Sequence, residues 1–346
     1  MRKILTTLAM TLLCTTMALA QKEAGMSYFL PKTAVQIALR IEKTTFTPGT
    51  LANYSDIYFK TPAATQPSVS YRIVGIDFCP SAVPDSARRY DIVIDKKHSI
   101  LSVDCDKNGV LMAINAKGVK AEGVKPFVPA PQAAPLNPQD YMSQDILSSG
   151  NYPTMARLVA QEIYDIRDSR NSLSRGEADY MPKDGEQLKL MLAQLALQEK
   201  ALMQVFTGTT VKDTVQQVLT FVPEKGQKKA IAFRFSSHFG LTSNADLSGT
   251  PYYAEVDDEH IMAEMPETTD VKKQKDDMTL GVCLPGKIKI RLVADGRTVA
   301  QYSTFAAQYG QVELLSGALF GKKLTSHIVT DPCTGAIVTL KTEPLE

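Results

Sequence analysis

The sequence predicts an α+β protein with a β-rich N-terminal module, an antiparallel helical hairpin, and a C-terminal β-sandwich or partly open barrel. Three observations carry this. Short runs of alternating apolar and polar residues recur at both ends of the chain, one central stretch switches to apolar steps of three and four, and Asn-Gly and Asp-Gly pairs punctuate the alternating runs. At 346 residues the chain has room for roughly two or three such units.

Taken in order, Arg2 and Lys3 precede a mostly apolar run over 4–17 that ends in Ala18-Leu19-Ala20. That is the pattern of a secretory signal peptide, residues 1–20, cleaved before Gln21. The run is too short and too Thr-rich to span a bilayer, and Leu13 occupies the place where a small residue precedes a lipidated Cys14. No later segment is apolar enough to span. Residues 21–122 are expected to form the β-rich domain, with strands at 34–41, 71–78, 90–94 and 100–103. Asn108-Gly109 then closes a hairpin between 102–105 and 110–114, both turn residues taking positive φ.

Residues 123–150 read as an extended linker, because Pro126, Pro129, Pro131, Pro135 and Pro138 exclude a helix or central strand. The helical hairpin follows at 151–208. Pro153 suits a first helical turn, and Met155, Leu158, Val159, Ile163 and Ile166 make its stripe. After a loop at 174–183, Asp184 and Gln187 form a variant capping box for a helix carrying Leu188, Leu192, Leu195, Leu202 and Phe206, which stops at Gly208. Leu195 is expected near the buried centre. Residues 209–346 return to a period of two, with strands at 215–222, 230–235, 286–293, 299–305 and 337–340 and a tight turn at Asp295-Gly296.

Lys plus Arg is 38 against 37 Asp plus Glu, so no global basic field recommends nucleic acid as a partner. Export leaves four cysteines, Cys79, Cys105, Cys283 and Cys333. Either two bridges (Cys79–Cys105 and Cys283–Cys333) or four small buried thiols are compatible with them. Zinc spacing is missing, as are the zinc-protease, esterase and penicillin-binding signatures. Asp104 to Gly109 matches half of a calcium loop, but Asn115 stands where the closing Glu belongs, so a turn without metal is expected. Gly281 to Lys287 has the spacing of a phosphate loop but continues as a strand pattern, with Ile288 in place of Ser or Thr. The run Asp257, Asp258, Glu259, His260 and Glu264 reads as a solvated loop.

Glu199 falls on the apolar stripe of the second helix, one turn from Leu195 and Leu202. Counting outward from a loop centre near residue 179 places Arg170 about 16 Å away along the hairpin. The expectation is therefore a structural carboxylate bonded to backbone or to an Arg of another domain.

The strings Tyr28-Phe29-Leu30-Pro31-Lys32-Thr33, Pro48-Gly49 and Asn53-Tyr54 resemble a family of exported proteins of Gram-negative gut anaerobes, the domain of unknown function 4831. So do Ala160 with Ile163-Tyr164, Arg167 and Arg170, and likewise Gly176-Glu177-Ala178-Asp179, Pro182 to Glu186 and Val205-Phe206-Thr207-Gly208. The resemblance spans nearly the whole mature chain. It implies an envelope location and no assigned activity, catalytic residue, cofactor or metal. Two function classes follow. One is a non-enzymatic module that binds another envelope protein or a peptide. The other is a carboxylate-based hydrolase acting on an envelope polymer. Glycan binding is less favoured because Trp is absent, although 13 Tyr could supply stacking platforms.

Overall fold

The computed structural model describes residues 25–93, 98–132, 134–266 and 279–345, so the signal-peptide expectation lies outside the described residues. Strand β1 (Gly25–Thr47) is the axis of the molecule. It pairs antiparallel with β2 (Ser68–Val93) along nearly its whole length and, from residue 35 onward, with β5 (Thr209–Phe221). At about 3.3 Å per residue, 23 residues make a strand of roughly 75 Å. The alternation read in the sequence is its face pattern. Val35, Ile37, Leu39 and Ile41 are all at most 3% exposed and point the same way.

They point at a second sheet, β10-β9-β8-β6-β7. It contains β6 (Lys229–Ser236), β7 (Gly240–Thr242), β8 (Thr250–Met262), β9 (Thr279–Ala294) and β10 (Arg297–Ser316). Ile288, Ile290 and Leu292 of β9 meet the β1 residues in one core with Phe233, Phe235 and Val256. The opposite face is charged. Lys287 pairs with Glu259 at 3.1 Å, and Arg291 with Asp257 at 3.1 Å and Glu255 at 3.5 Å. The acidic run expected as a loop is thus, from Asp257 to His260, the end of strand β8, which bulges at His260 (φ 56°) and faces basic residues at period two on β9, while Glu264 lies just beyond the strand. Gly281 to Lys287 lies within β9, which begins seven residues before the strand expected at 286–293. Asp295 (φ 48°) and Gly296 (φ 74°) form the two-residue turn between β9 and β10.

A third sheet, β12-β11-β4-β3, combines β3 (Val103–Cys105) and β4 (Leu111–Ile114) with β11 (Leu324–Thr330) and β12 (Ile337–Pro344). Its core joins Tyr28, Ile92, Leu111, Ile328 and Phe320. The stretches 21–122 and 209–346, expected as separate modules, therefore share two of the three sheets. Partners such as Ile37 and Leu219 stand far apart in sequence, and no local pattern announces such pairing.

The helices pack as a third layer. A short helix α1 (Ser55–Phe59) lies in the β1–β2 connection, and α2 (Gln144–Leu147) ends the linker stretch. Helix α3 (Tyr152–Arg175) is capped by Asn151, whose side chain accepts the Thr154 N–H, and stops at Gly176 (φ 74°). Helix α4 (Gly185–Thr207) is capped by Asp184, which accepts the Gln187 N–H at 2.7 Å, and stops at Gly208 (φ 78°). Their core gathers Val159, Ile163, Leu202 and Phe206 with Leu51 and Ile146. Leu195 is only half-buried at its margin, because the first half of α4 overhangs the packed region.

The linker is extended only as far as Asn137, because Pro138–Tyr141 forms a 3-10 turn and α2 follows, and its extended part is strapped down. It crosses the outer face of the first sheet, where the Cys79 thiol meets the Glu122 carbonyl at 3.1 Å. The Gln216 amide then holds both the Lys125 carbonyl and the Phe127 N–H. The strap reaches the edge of β5 where the Gln132 side chain donates to the Lys212 carbonyl.

Candidate binding cleft

On α4, Lys200, Met203, Gln204 and Thr207 recur at steps of three and four and form one stripe, turned away from the Leu202 and Phe206 side. Gly208 breaks the helix and sends the chain directly into β5, which brings Thr209, Thr210 and Val211 beside that stripe. A Cβ at Gly208 would strike the Phe46 ring at 2.9 Å, so this sharp exit requires glycine. Gly49 serves the same end from the other side. A side chain there would collide with the Val205 backbone, and without one Leu51 N–H reaches the Val205 carbonyl at 2.7 Å. That bond satisfies a carbonyl of the last helical turn.

The linker supplies the remaining wall. Pro135 and Leu136 divide two adjoining clefts, of about 600 Å³ towards β5 and about 400 Å³ towards Thr47–Thr50. Gln204 lines both. Its side-chain oxygen is buried and has no hydrogen-bond partner among the described residues. Leaving a buried acceptor unmatched costs about 1–3 kcal/mol. The larger cleft is otherwise lined by Gln132, Lys200, Thr207, Thr209 and Thr210 together with apolar Ala134, Met203 and Val211. The Thr207 hydroxyl donates to the Met203 carbonyl and the Gln132 amide to that of Lys212. No Asp or Glu lines it among the described residues.

One turn before Met203, Glu199 accepts from Arg167 Nε at 2.7 Å and from Arg170 Nη1 at 2.5 Å. This corrects the expected geometry, because the partners come from within the hairpin. They centre the pairing near residue 184 instead of 179, which moves the position facing Glu199 from about 159 to about 169, roughly 15 Å along α3. The long arginine side chains span what remains. Arg167 also lies over the rings of Phe59 (5.4 Å) and Tyr164 (5.7 Å), and its Nη2 is 3.9 Å from Met203 Sδ. Tyr164 in turn donates its hydroxyl to the Tyr58 carbonyl at 2.5 Å.

The other sequence candidates lie elsewhere. Cys79, Cys105, Cys283 and Cys333 are free thiols, and neither expected bridge is present. Cys79 lies on β2 under the strap, whereas Cys105 ends β3 in a different sheet. Burial pushes Cys105 and Cys283 up to about 11 and Cys333 up to about 12, which makes them poor thiolate nucleophiles. Asp104 to Gly109 is the tip of the β3–β4 hairpin. Asp106 Oδ1 accepts the N–H groups of Asn108 (2.7 Å) and Val110 (2.8 Å). Only Gly109 there has positive φ (80°), so the turn is a four-residue one closed by a left-handed glycine, not the two-residue form expected. Sequence reasoning missed Gln204, whose position on the polar side of an amphipathic helix carries no signal of its own.

Fold and cleft together define a β-rich α+β protein with a polar groove at a helix–strand junction. The chain belongs to the family described as domain of unknown function DUF4831, whose model matches residues 24–338. Comparison with curated proteins and with solved structures gave no match.

Proposed function

We propose that the protein is an exported, non-enzymatic binding module of the cell envelope. It holds an extended peptide segment of another envelope protein in the cleft between the linker and the α4–β5 junction. The observation that carries this reading is a cleft of about 600 Å³ whose wall includes Gln204, with its side-chain oxygen buried and unmatched behind that wall. Turning the Gln204 side chain outward gives its oxygen a peptide N–H as donor, and threonine hydroxyls and glutamine amides suit the remaining backbone groups of an extended chain. Export rests on the charged, apolar and small-residue pattern of residues 1–20. No described helix is long and apolar enough to cross a membrane.

The hydrolase alternative needs two carboxylates aimed into one cavity. Asp77 and Glu122 share a cleft of about 360 Å³ under the strap, but Asp77 is paired with Arg40 at 3.2 Å. The binding reading therefore stands first. Selection of phage-displayed random peptides on the mature protein tests it. Enriched peptides are expected to lose about tenfold in affinity on Gln204→Leu, the size of one lost hydrogen bond in a buried site. Turnover of an envelope polymer by the purified protein, with no peptide enriched, would contradict the reading.

A further inference from the structure

We propose that Arg167 and Arg170 anchor a carboxylate of the ligand held in the neighbouring cleft, so that the cleft takes acidic extended peptides over neutral or basic ones. The inference rests on the peptide-binding reading above and specifies its partner. Two guanidinium groups face the single carboxylate of Glu199, which leaves one positive charge in excess. Lys200, next along α4 and on the cleft wall, adds another. Bracing α3 to α4 needs only one of the two arginines.

The pair is also preorganised. The Phe59 and Tyr164 rings hold the face of Arg167, which fixes the guanidinium without using its N–H groups. Tyr164 is itself fixed by its bond to the Tyr58 carbonyl. Arg170 gives Nη1 to Glu199, and its other N–H groups meet no acceptor among the described residues. About a third of each arginine side chain remains exposed, 33% and 37%, enough for a second carboxylate to approach. A guanidinium fork matches a carboxylate in two parallel hydrogen bonds, and Arg beside Tyr and Phe is the composition of energetically dominant binding patches. Met203 joins the two places. It lines the cleft and touches Arg167, so a carboxylate at the arginines stands one side chain away from a peptide lying over Gln204.

The test uses the mature protein and three labelled decapeptides, alternating Ser with Glu, Gln or Lys, read by fluorescence anisotropy. The Glu peptide is expected to bind about tenfold more tightly than the Gln peptide at low salt, the scale of a charge-assisted pair. The Lys peptide should bind most weakly. Arg170→Gln is expected to erase the advantage of the Glu peptide over the Gln peptide. Should that variant fail to fold, Arg170→Lys is expected to shrink the advantage without abolishing it. Equal binding of the Glu and Gln peptides overturns the proposal and leaves the cleft reading standing, as does an advantage that survives both substitutions. Failure of all three peptides to bind overturns both.

Discussion

Asn115 holds a left-handed backbone conformation, φ 52°, at the end of β4. Its side-chain oxygen accepts the N–H groups of Leu101 (2.7 Å) and Ser102 (3.2 Å), and its amide nitrogen donates to the carbonyls of Ser99 (2.8 Å) and Ser326 (3.1 Å). The residue that fails as the twelfth position of a calcium loop is therefore a structural knot between the two halves of the third sheet. Asn115→Ala is expected to cost about 2–4 kcal/mol in denaturant unfolding, since it strands several partly buried polar groups and keeps an unfavourable φ. Asn115→Gly should recover only about 1 kcal/mol of that, the backbone part. A cost below about 0.5 kcal/mol for the Ala variant would show that the knot bears no weight. At this scale the sequence was legible where a residue acts on its neighbours. Asp184, Gly208 and the Asp295-Gly296 turn all behave as their local chemistry dictates. It was not legible where a residue acts at a distance, as Asn115 and Gln204 do.

The helical hairpin shows the same division one level up. Both helices were readable from period, caps and stops, but their relative stagger was not, because it is set by packing against Leu51 and Ile146 from outside the hairpin. The stagger moves the centre of the buried seam from Leu195 to Leu202, which is fully buried. Leu202→Ala is expected to destabilise by about 2–4 kcal/mol and Leu195→Ala by about 1 kcal/mol, measured by the same unfolding titration. The reverse order would mean that the hairpin packs at its tip. Strand edges follow an equally local logic. The outer edge of β2 carries Pro80 and Pro84, which cannot donate to an added strand, and Lys212 on the edge of β5 is tied by Gln132 of the strap.

For the whole molecule, the α+β class was readable, but β7, β8 and β11 were not among the expected strands, 71–78 and 90–94 belong to the one strand β2, and the interleaving of N- and C-terminal strands was not readable. Period two tells which face of a strand is buried but not which distant strand will bury it. The buried interior also sets the alkaline limit of stability. Burial raises Tyr28, Tyr252, Tyr302 and Tyr309 above their ordinary value of 10.0, just as it raises the cysteines above 9.0. Each group holds its proton more tightly folded than unfolded. The stability that this contributes is complete below the unfolded values and is lost as pH rises from about 9 through 12. The melting midpoint is expected to fall steadily across that window, and a midpoint constant to pH 11 would contradict the buried placement of these groups.

The proposed role of the molecule turns on the place of binding. Amide hydrogen exchange on the mature protein, with and without a saturating selected peptide, locates that place. Slowed exchange is expected in the linker at 134–136 and at the α4–β5 junction over 203–211, with the edges of β2 and β10 unchanged. Protection confined to those edges, or spread evenly over the three sheets, would contradict it.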